Sequence, residues 1–150
     1  MDRLARTLHG DELKVAFAFL LTMPGAPFIY YGDEIGLRYV ENLVSVEGGY
    51  SRTGSRSPMQ WNHGVNFGFS NASPEKLYIP TDDKPNSPTV EDQINDPDSL
   101  YHEVKKLIAI RRANSALLSD GDIEFVSDGA DGAPPVSYTH LRAHETELHL

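Results

Sequence analysis

Pro24-Gly25-Ala26-Pro27-Phe28-Ile29-Tyr30-Tyr31-Gly32-Asp33-Glu34 carries the strongest structural signal in the sequence. Its centre, Phe28 to Tyr31, is a continuous apolar run without alternation, the pattern of a strand covered on both faces in a parallel sheet. Upstream, Asp11 is placed to cap a helix whose body, Leu13 to Thr22, carries Lys14 as its only charge. A helix apolar nearly all round is expected to be buried on several sides. Pro24 pushes Met23 out of the helical region, and Pro24 to Pro27 makes the turn. Helix, short turn and parallel strand are half of an alternating α/β unit. The apolar stretch Val15 to Tyr31 falls short of the roughly 20 residues of a membrane span and is broken by Pro24, Gly25 and Pro27.

Working outward, Gly32 to Pro97 has little periodicity and is rich in proline and glycine. As one structureless loop it would be implausibly long in a small compact domain; in an enzyme it reads as an elaborated active-site loop. Asp98, after Pro97, is positioned as a second cap, and Leu100, Val104, Leu107 and Ile108 mark one helical face. Lys105, Lys106, Arg111 and Arg112 lie toward the end that the helix dipole favours for cations. Asp122-Ile123-Glu124-Phe125-Val126 then alternates polar and apolar, as a half-buried strand does. A lone parallel strand has no ladder partner here, so its backbone groups require a larger structure.

The chain has 150 residues, 39% hydrophobic and 23% charged, a length that by itself suggests one domain. The pattern of elements overrides that suggestion. Thirteen basic against 22 acidic side chains give a formal charge of -9, which speaks against nucleic acid as a partner. With no cysteine there is no disulfide framework, thiolate nucleophile or cysteine-held metal. Met1-Asp2-Arg3-Leu4-Ala5-Arg6 leads into Asp11 and Glu12 rather than an apolar core, unlike a signal peptide. Gly48-Gly49 to Gly54-Ser55 is glycine-rich but lacks the Gly-Lys-Ser/Thr ending of a phosphate loop.

Two motifs resemble the α-amylase superfamily, glycoside hydrolase family 13. Pro24 to Gly36, with Gly25-Ala26-Pro27 and Gly32-Asp33-Glu34, is similar to that family's eighth barrel strand. Ser51-Arg52-Thr53-Gly54-Ser55-Arg56-Ser57-Pro58-Met59-Gln60-Trp61, followed by Asn66-Phe67-Gly68-Phe69-Ser70, is similar to the loop of oligo-1,6-glucosidases, dextran glucosidases and trehalose synthases. The likeness runs over roughly residues 11 to 126, with Ser57, Asn62 and Phe67 departing from the usual Thr, Asp and Ala. It implies an α/β fold, the C-terminal part of a (β/α)8 barrel: helix 7, strand 8, the long loop and helix 8, then the first strand of a C-terminal β domain. Residues 1–118 would belong to the barrel and 119–135 to the β domain. A barrel takes about 250 residues, so this one would be incomplete here.

The family is retaining, with an aspartate nucleophile and a glutamate acid/base about 5 Å apart and a further aspartate gripping the sugar. The resemblance places all three on strands outside this chain, so no catalytic residue is assigned; Met1 would follow the third as an internal methionine. The substrate-binding candidates are Arg52, which would hold the terminal glucose with an upstream aspartate, and Arg56, Tyr31 and Trp61. Arg56 could instead brace the loop, and Trp61, Phe67, Phe69 and Tyr31 could pack it onto the barrel instead of stacking on sugar rings. Asp33 and Glu34 form a local carboxylate pair, but adjacent strand residues point to opposite faces and cannot converge on one glycosidic bond. They read as a turn residue and a buried hydrogen-bonding glutamate that fixes the loop. No metal or cofactor is implied.

Val136-Ser137-Tyr138-Thr139-His140-Leu141-Arg142-Ala143-His144-Glu145-Thr146 looks like the in-frame translation of a transposase-based sequencing adaptor, so residues 136–150 are set apart. The metal-like spacing of His140 and His144 is discarded with them. The functional expectation is an α-glucosidase acting on short oligosaccharides. Trehalose synthase is an alternative within the family, and a non-catalytic partner subunit of a transporter is an alternative of another class.

Overall fold

A computed structural model describes residues 2–44, 50–119, 121–127 and 136–140. The chain divides into two compact units, one of Met1–Val15 with Ile29–Val104, the other of Ala16–Phe28 with Lys105–Leu150.

Helix α1 spans Asp11–Thr22. Asp11 is its first helical residue and pairs with Lys14 at 3.1 Å, so it does not act as the expected cap. Glu12 instead reaches back across the helix start, its Oε2 accepting the His9 backbone N–H at 2.8 Å. The expected all-round burial is also corrected. Leu13, Phe17 and Leu21, spaced by four, are buried, whereas Val15 and Phe19 are 68% and 64% exposed. One stripe is covered, as in an ordinary amphipathic helix.

The doubly covered strand at Phe28 to Tyr31 is not formed: these residues lie in no sheet, and Phe28 is 88% exposed. A strand gains its ladder only from neighbours, and none of the described residues supplies one. The run keeps its sequence pattern, but only its start is left bare: Phe28 is open, whereas Tyr30 is half-buried.

The long segment after Gly32 is held by short structures that periodicity does not reveal. Asp33–Ile35, Tyr50–Arg56, Val65–Gly68 and Pro74–Lys76 are 3-10 turns, and α2 spans Val90–Asn95. Thr89 caps α2: its Oγ1 accepts from the Asp92 N–H at 3.1 Å and donates to Asp92 Oδ2 at 2.8 Å. Gln60, fully buried, donates to the Pro88 carbonyl at 2.7 Å and accepts the Asp82 N–H at 3.3 Å. Arg38 reaches Asp82 at 2.5 Å and Ser87 Oγ at 2.7 Å. Two long polar side chains thus replace regular secondary structure as the frame of residues 82–88. Hydrophobic support in this unit comes from Leu13, Ile35, Leu37, Leu100 and Val104, all buried.

Helix α3 spans Leu100–Ala113. Its cap is Ser99, whose Oγ accepts from the His102 N–H at 3.3 Å; Asp98, the expected cap, is exposed. In the second unit Arg111 is buried at 8% exposure and donates to the carbonyls of Leu21 at 2.9 Å, Met23 at 2.8 Å and Gly25 at 2.6 Å. These acceptors are the free carbonyls at the end of α1 and in the turn beyond it, which one guanidinium satisfies together. The expected strand near residue 122 forms as β1, Asp122–Ser127, antiparallel to β2, Val136–His140. β2 lies in the segment set apart as adaptor-like. An alternating, β-prone sequence pairs with an open edge whatever its origin.

Candidate functional site

The site is built where the extended run turns. Gly32 has φ 86° and Gly36 φ 69°, bracketing the turn Asp33–Ile35. A Cβ on Gly32 would lie 2.7 Å from Leu37 Cδ2 and 3.2 Å from Arg3 Nη1, so both the backbone angle and the space call for glycine. Arg3 lies under this turn, 2% exposed. Its Nη1 donates to the Tyr31 carbonyl and to Asp33 Oδ1, the latter at 3.2 Å. Its guanidinium carbon is 4.6 Å from the ring centre of Tyr30 and 4.7 Å from that of Tyr31, within cation–π range.

Beyond the turn, the Tyr31 hydroxyl donates to the Ser57 carbonyl at 3.0 Å, joining the turn to the loop that follows Arg56. That loop passes close to its own base: a Cβ on Gly54 would fall 2.1 Å from the Val40 carbonyl oxygen. The Trp61 backbone is fixed from both sides, its N–H donating to the Phe67 carbonyl at 2.8 Å and its carbonyl accepting from the Glu91 N–H at 2.9 Å. Asn66, Phe67 and Gly68 all take positive φ, at 49°, 54° and 72°. Asn66 steadies the reversal by donating to the carbonyls of Ser70 and Ala72 at 2.8 and 2.7 Å.

These constraints enclose a cleft of about 530 Å³. Tyr31, Glu34, Arg56 and Trp61 line it, with Phe69 and Tyr78 extending the aromatic surface and Pro58, Met59, Leu77 and Ile79 completing the wall. An apolar, aromatic lining with one carboxylate and one guanidinium is the composition of a small-molecule site. Tyr31, Trp61 and Phe69 are 41%, 50% and 51% exposed, so their rings are presented rather than packed away.

The expected site residues therefore separate. Tyr31, Arg56, Trp61 and Glu34 are brought to one cleft. Arg52 is exposed and outside its lining, and its carbonyl accepts from Ser55 Oγ at 2.8 Å. Asp33 and Glu34 face different partners: Asp33 turns to Arg3, and Glu34 to the cleft. Glu34 Oε2 is buried with no hydrogen-bond partner among the described residues, so no bond through that oxygen fixes the loop. Arg3 is the residue that sequence reading missed. An arginine beside Asp2 and Arg6 has every sign of a solvated side chain, and only the folded chain places it under Tyr30 and Tyr31.

Burial raises the Tyr31 hydroxyl to a pKa of about 12. Burial also raises the Asp33 carboxyl, with the Arg3 hydrogen bond and charge acting the other way. Among the described residues no group of three or more His, Asp or Glu side chains could hold a metal ion. No helix among them is long and apolar enough to cross a membrane.

Residues 2–121 match the family model for the alpha amylase catalytic domain. The chain belongs to the alpha-amylase family, glycoside hydrolase family 13. It is 41% identical over 120 residues to a trehalose synthase of Pimelobacter sp. (strain R48), covering 76% of this chain and 20% of that protein. It is 34% identical over 151 residues to a glucan 1,6-alpha-glucosidase of Streptococcus pneumoniae, covering 82% of this chain and 27% of the relative. Among solved structures, the trehalulose synthase MutB of Pseudomonas mesoacidophila MX-45 superposes with a TM-score of 0.65 at 25% identity, over 77% of this chain and 25% of that one. The chain thus spans about a fifth to a quarter of the length of these relatives.

Proposed function

We propose that this chain supplies the substrate-binding loop of an enzyme that cleaves or rearranges α-glucosidic bonds of short oligosaccharides, acting from the non-reducing end. The observation that carries the reading is the single cleft holding Tyr31, Arg56, Trp61 and Glu34. Aromatic faces suit the apolar faces of a sugar ring, and a planar guanidinium suits its hydroxyls. On this reading the retaining chemistry, through a covalent glycosyl intermediate, belongs to carboxylates of the rest of the barrel. On this reading the chain alone is inactive, and residues 1–118 form the last part of the barrel, from its seventh helix to its eighth. Residues 119–135 begin the next domain and 136–150 are adaptor. Arg52 contributes by holding the terminal glucose together with an aspartate of the remaining barrel.

A second reading is isomerisation of maltose to trehalose, favoured by the 41% identity to the Pimelobacter trehalose synthase. The two share a covalent step and differ in whether water or the released glucose attacks the intermediate. One experiment tests both: replace the matching segment of that synthase with residues 2–121 and analyse products from maltose and isomaltose. Glucose release supports hydrolysis, trehalose supports isomerisation, and absence of turnover with a folded chimera overturns the assignment. Within it, Arg52→Ala is expected to lower kcat/KM at least tenfold; unchanged turnover removes the role given to Arg52.

A further inference from the structure

We infer that Arg3 is a positioning residue that sets the ring of Tyr31 in the cleft wall, and so tunes how tightly the cleft holds a glucoside.

The Arg3 side chain is fully buried, and its Nε and Nη2 have no hydrogen-bond partner among the described residues. A buried guanidinium with unused donors carries a desolvation cost that those donors do not offset, so its burial is weak evidence of a purely stabilising role. The contacts that Arg3 does make converge on one neighbour. Nη1 donates to the Tyr31 carbonyl, the guanidinium carbon lies 4.7 Å from the Tyr31 ring centre, and the ion pair with Asp33 fixes the turn that follows Tyr31. Tyr30 lies 4.6 Å from the same guanidinium carbon, and the Tyr30 and Tyr31 rings are 4.7 Å apart at 55°, so the cation and the two rings form one three-membered cluster. At its far end the Tyr31 hydroxyl is tied to the Ser57 carbonyl. Tyr31 is thus held at its backbone, its ring face and its hydroxyl, while the rest of the ring stands open to the cleft. A ring held in this way presents one surface to a ligand, and binding need not order it.

The consequence for sugar affinity rests on the function proposed above, whereas the hold on Tyr31 does not; the test separates them. The 150-residue chain is labelled with 13C-tyrosine and prepared as wild type, Arg3→Met and Arg3→Lys. Tyr31 is assigned by loss of its signals in Tyr31→Phe. Arg3→Met is expected to move the Tyr31 ring signals toward free-tyrosine values while the thermal transition, lowered because Asp33 loses its partner, stays cooperative, and Arg3→Lys to restore the signals in part. Should Arg3→Met not fold, Arg3→Lys is read alone, with a smaller displacement in the same direction. Unchanged Tyr31 signals in a folded variant overturn the inference.

The second arm uses the chimera. Arg3→Met is expected to raise KM for maltose about tenfold with kcat within about twofold, and Arg3→Lys to recover part of the loss. A KM unchanged in an active chimera overturns the link between Arg3 and affinity. An inactive wild-type chimera beside displaced Tyr31 signals overturns the functional reading and supports the role of Arg3.

Discussion

Tyr31 carries two burdens, a ring in the cleft wall and a hydroxyl that burial makes reluctant to ionise. The sign of the second follows from linkage. The folded chain holds the Tyr31 proton up to about pH 12, while an unfolded tyrosine releases it near its ordinary value of 10. Between these limits the unfolded state binds fewer protons, so stability falls as pH rises through the window. Tyr31→Phe is expected to flatten the decline between pH 10 and 12 in denaturant-unfolding midpoints; a decline as steep as wild type would contradict the assignment. Gly54 is a residue of a different kind, with no chemistry and no room. A methyl group there meets the Val40 carbonyl oxygen at 2.1 Å and the Tyr39 ring at 2.6 Å. Overpacking of this sort costs about 1–3 kcal/mol, and Gly54→Ala is expected to lose that much in urea unfolding.

Elements are held by polar side chains at their ends. Thr89 closes α2 through a reciprocal bond with Asp92, whose carboxyl is drawn below its usual range chiefly by the Thr89 hydroxyl. Thr89→Ala is expected to cost about 1 kcal/mol by equilibrium denaturation. Arg111 serves α1 from a distance of 90 residues. Replacing it by methionine keeps bulk but strands the carbonyls of Leu21, Met23 and Gly25, for an expected loss of about 3 kcal/mol and early amide exchange after residue 19. Helices α1 and α3 were legible in the sequence because their apolar spacing is local, whereas α2 was not. The caps were not legible either: Ser99 rather than Asp98 caps α3, and Asp11 lies inside α1, because cap bonds depend on which side chain the backbone turns toward a free N–H. Arg111 read as a cation suited to a helix end, and so it is, but the end it serves belongs to α1.

For the molecule as a whole, the exposed apolar run is the dominant fact. Phe19 and Phe28, both in the second unit, are 64% and 88% exposed. Large open apolar side chains favour association. The chain is expected to scatter light in a concentration-dependent way, with Phe28→Lys reducing it; equal scattering by the two would show that another surface is responsible. The same run explains the main departure of the structure from the sequence reading. Phe28 to Tyr31 has the pattern of a covered strand, but a ladder is a property of several strands, and no described residue provides the second.

Residue order was enough to show membership of the alpha-amylase family and the helices α1 and α3, and it marked the loop from Ser51 to Trp61 as one that resembles a loop of that family. Such features reside in residue order, spacing and local backbone preference. Tertiary structure alone decided which loop residues share a cleft: Tyr31, Glu34, Arg56 and Trp61 inside, Arg52 outside. It also placed Arg3 beneath Tyr31 and left Phe28 uncovered. Those outcomes depend on contacts between residues far apart in the chain, where a side chain's neighbours, and so its burial, charge and reach, are set by folding rather than by the residues beside it.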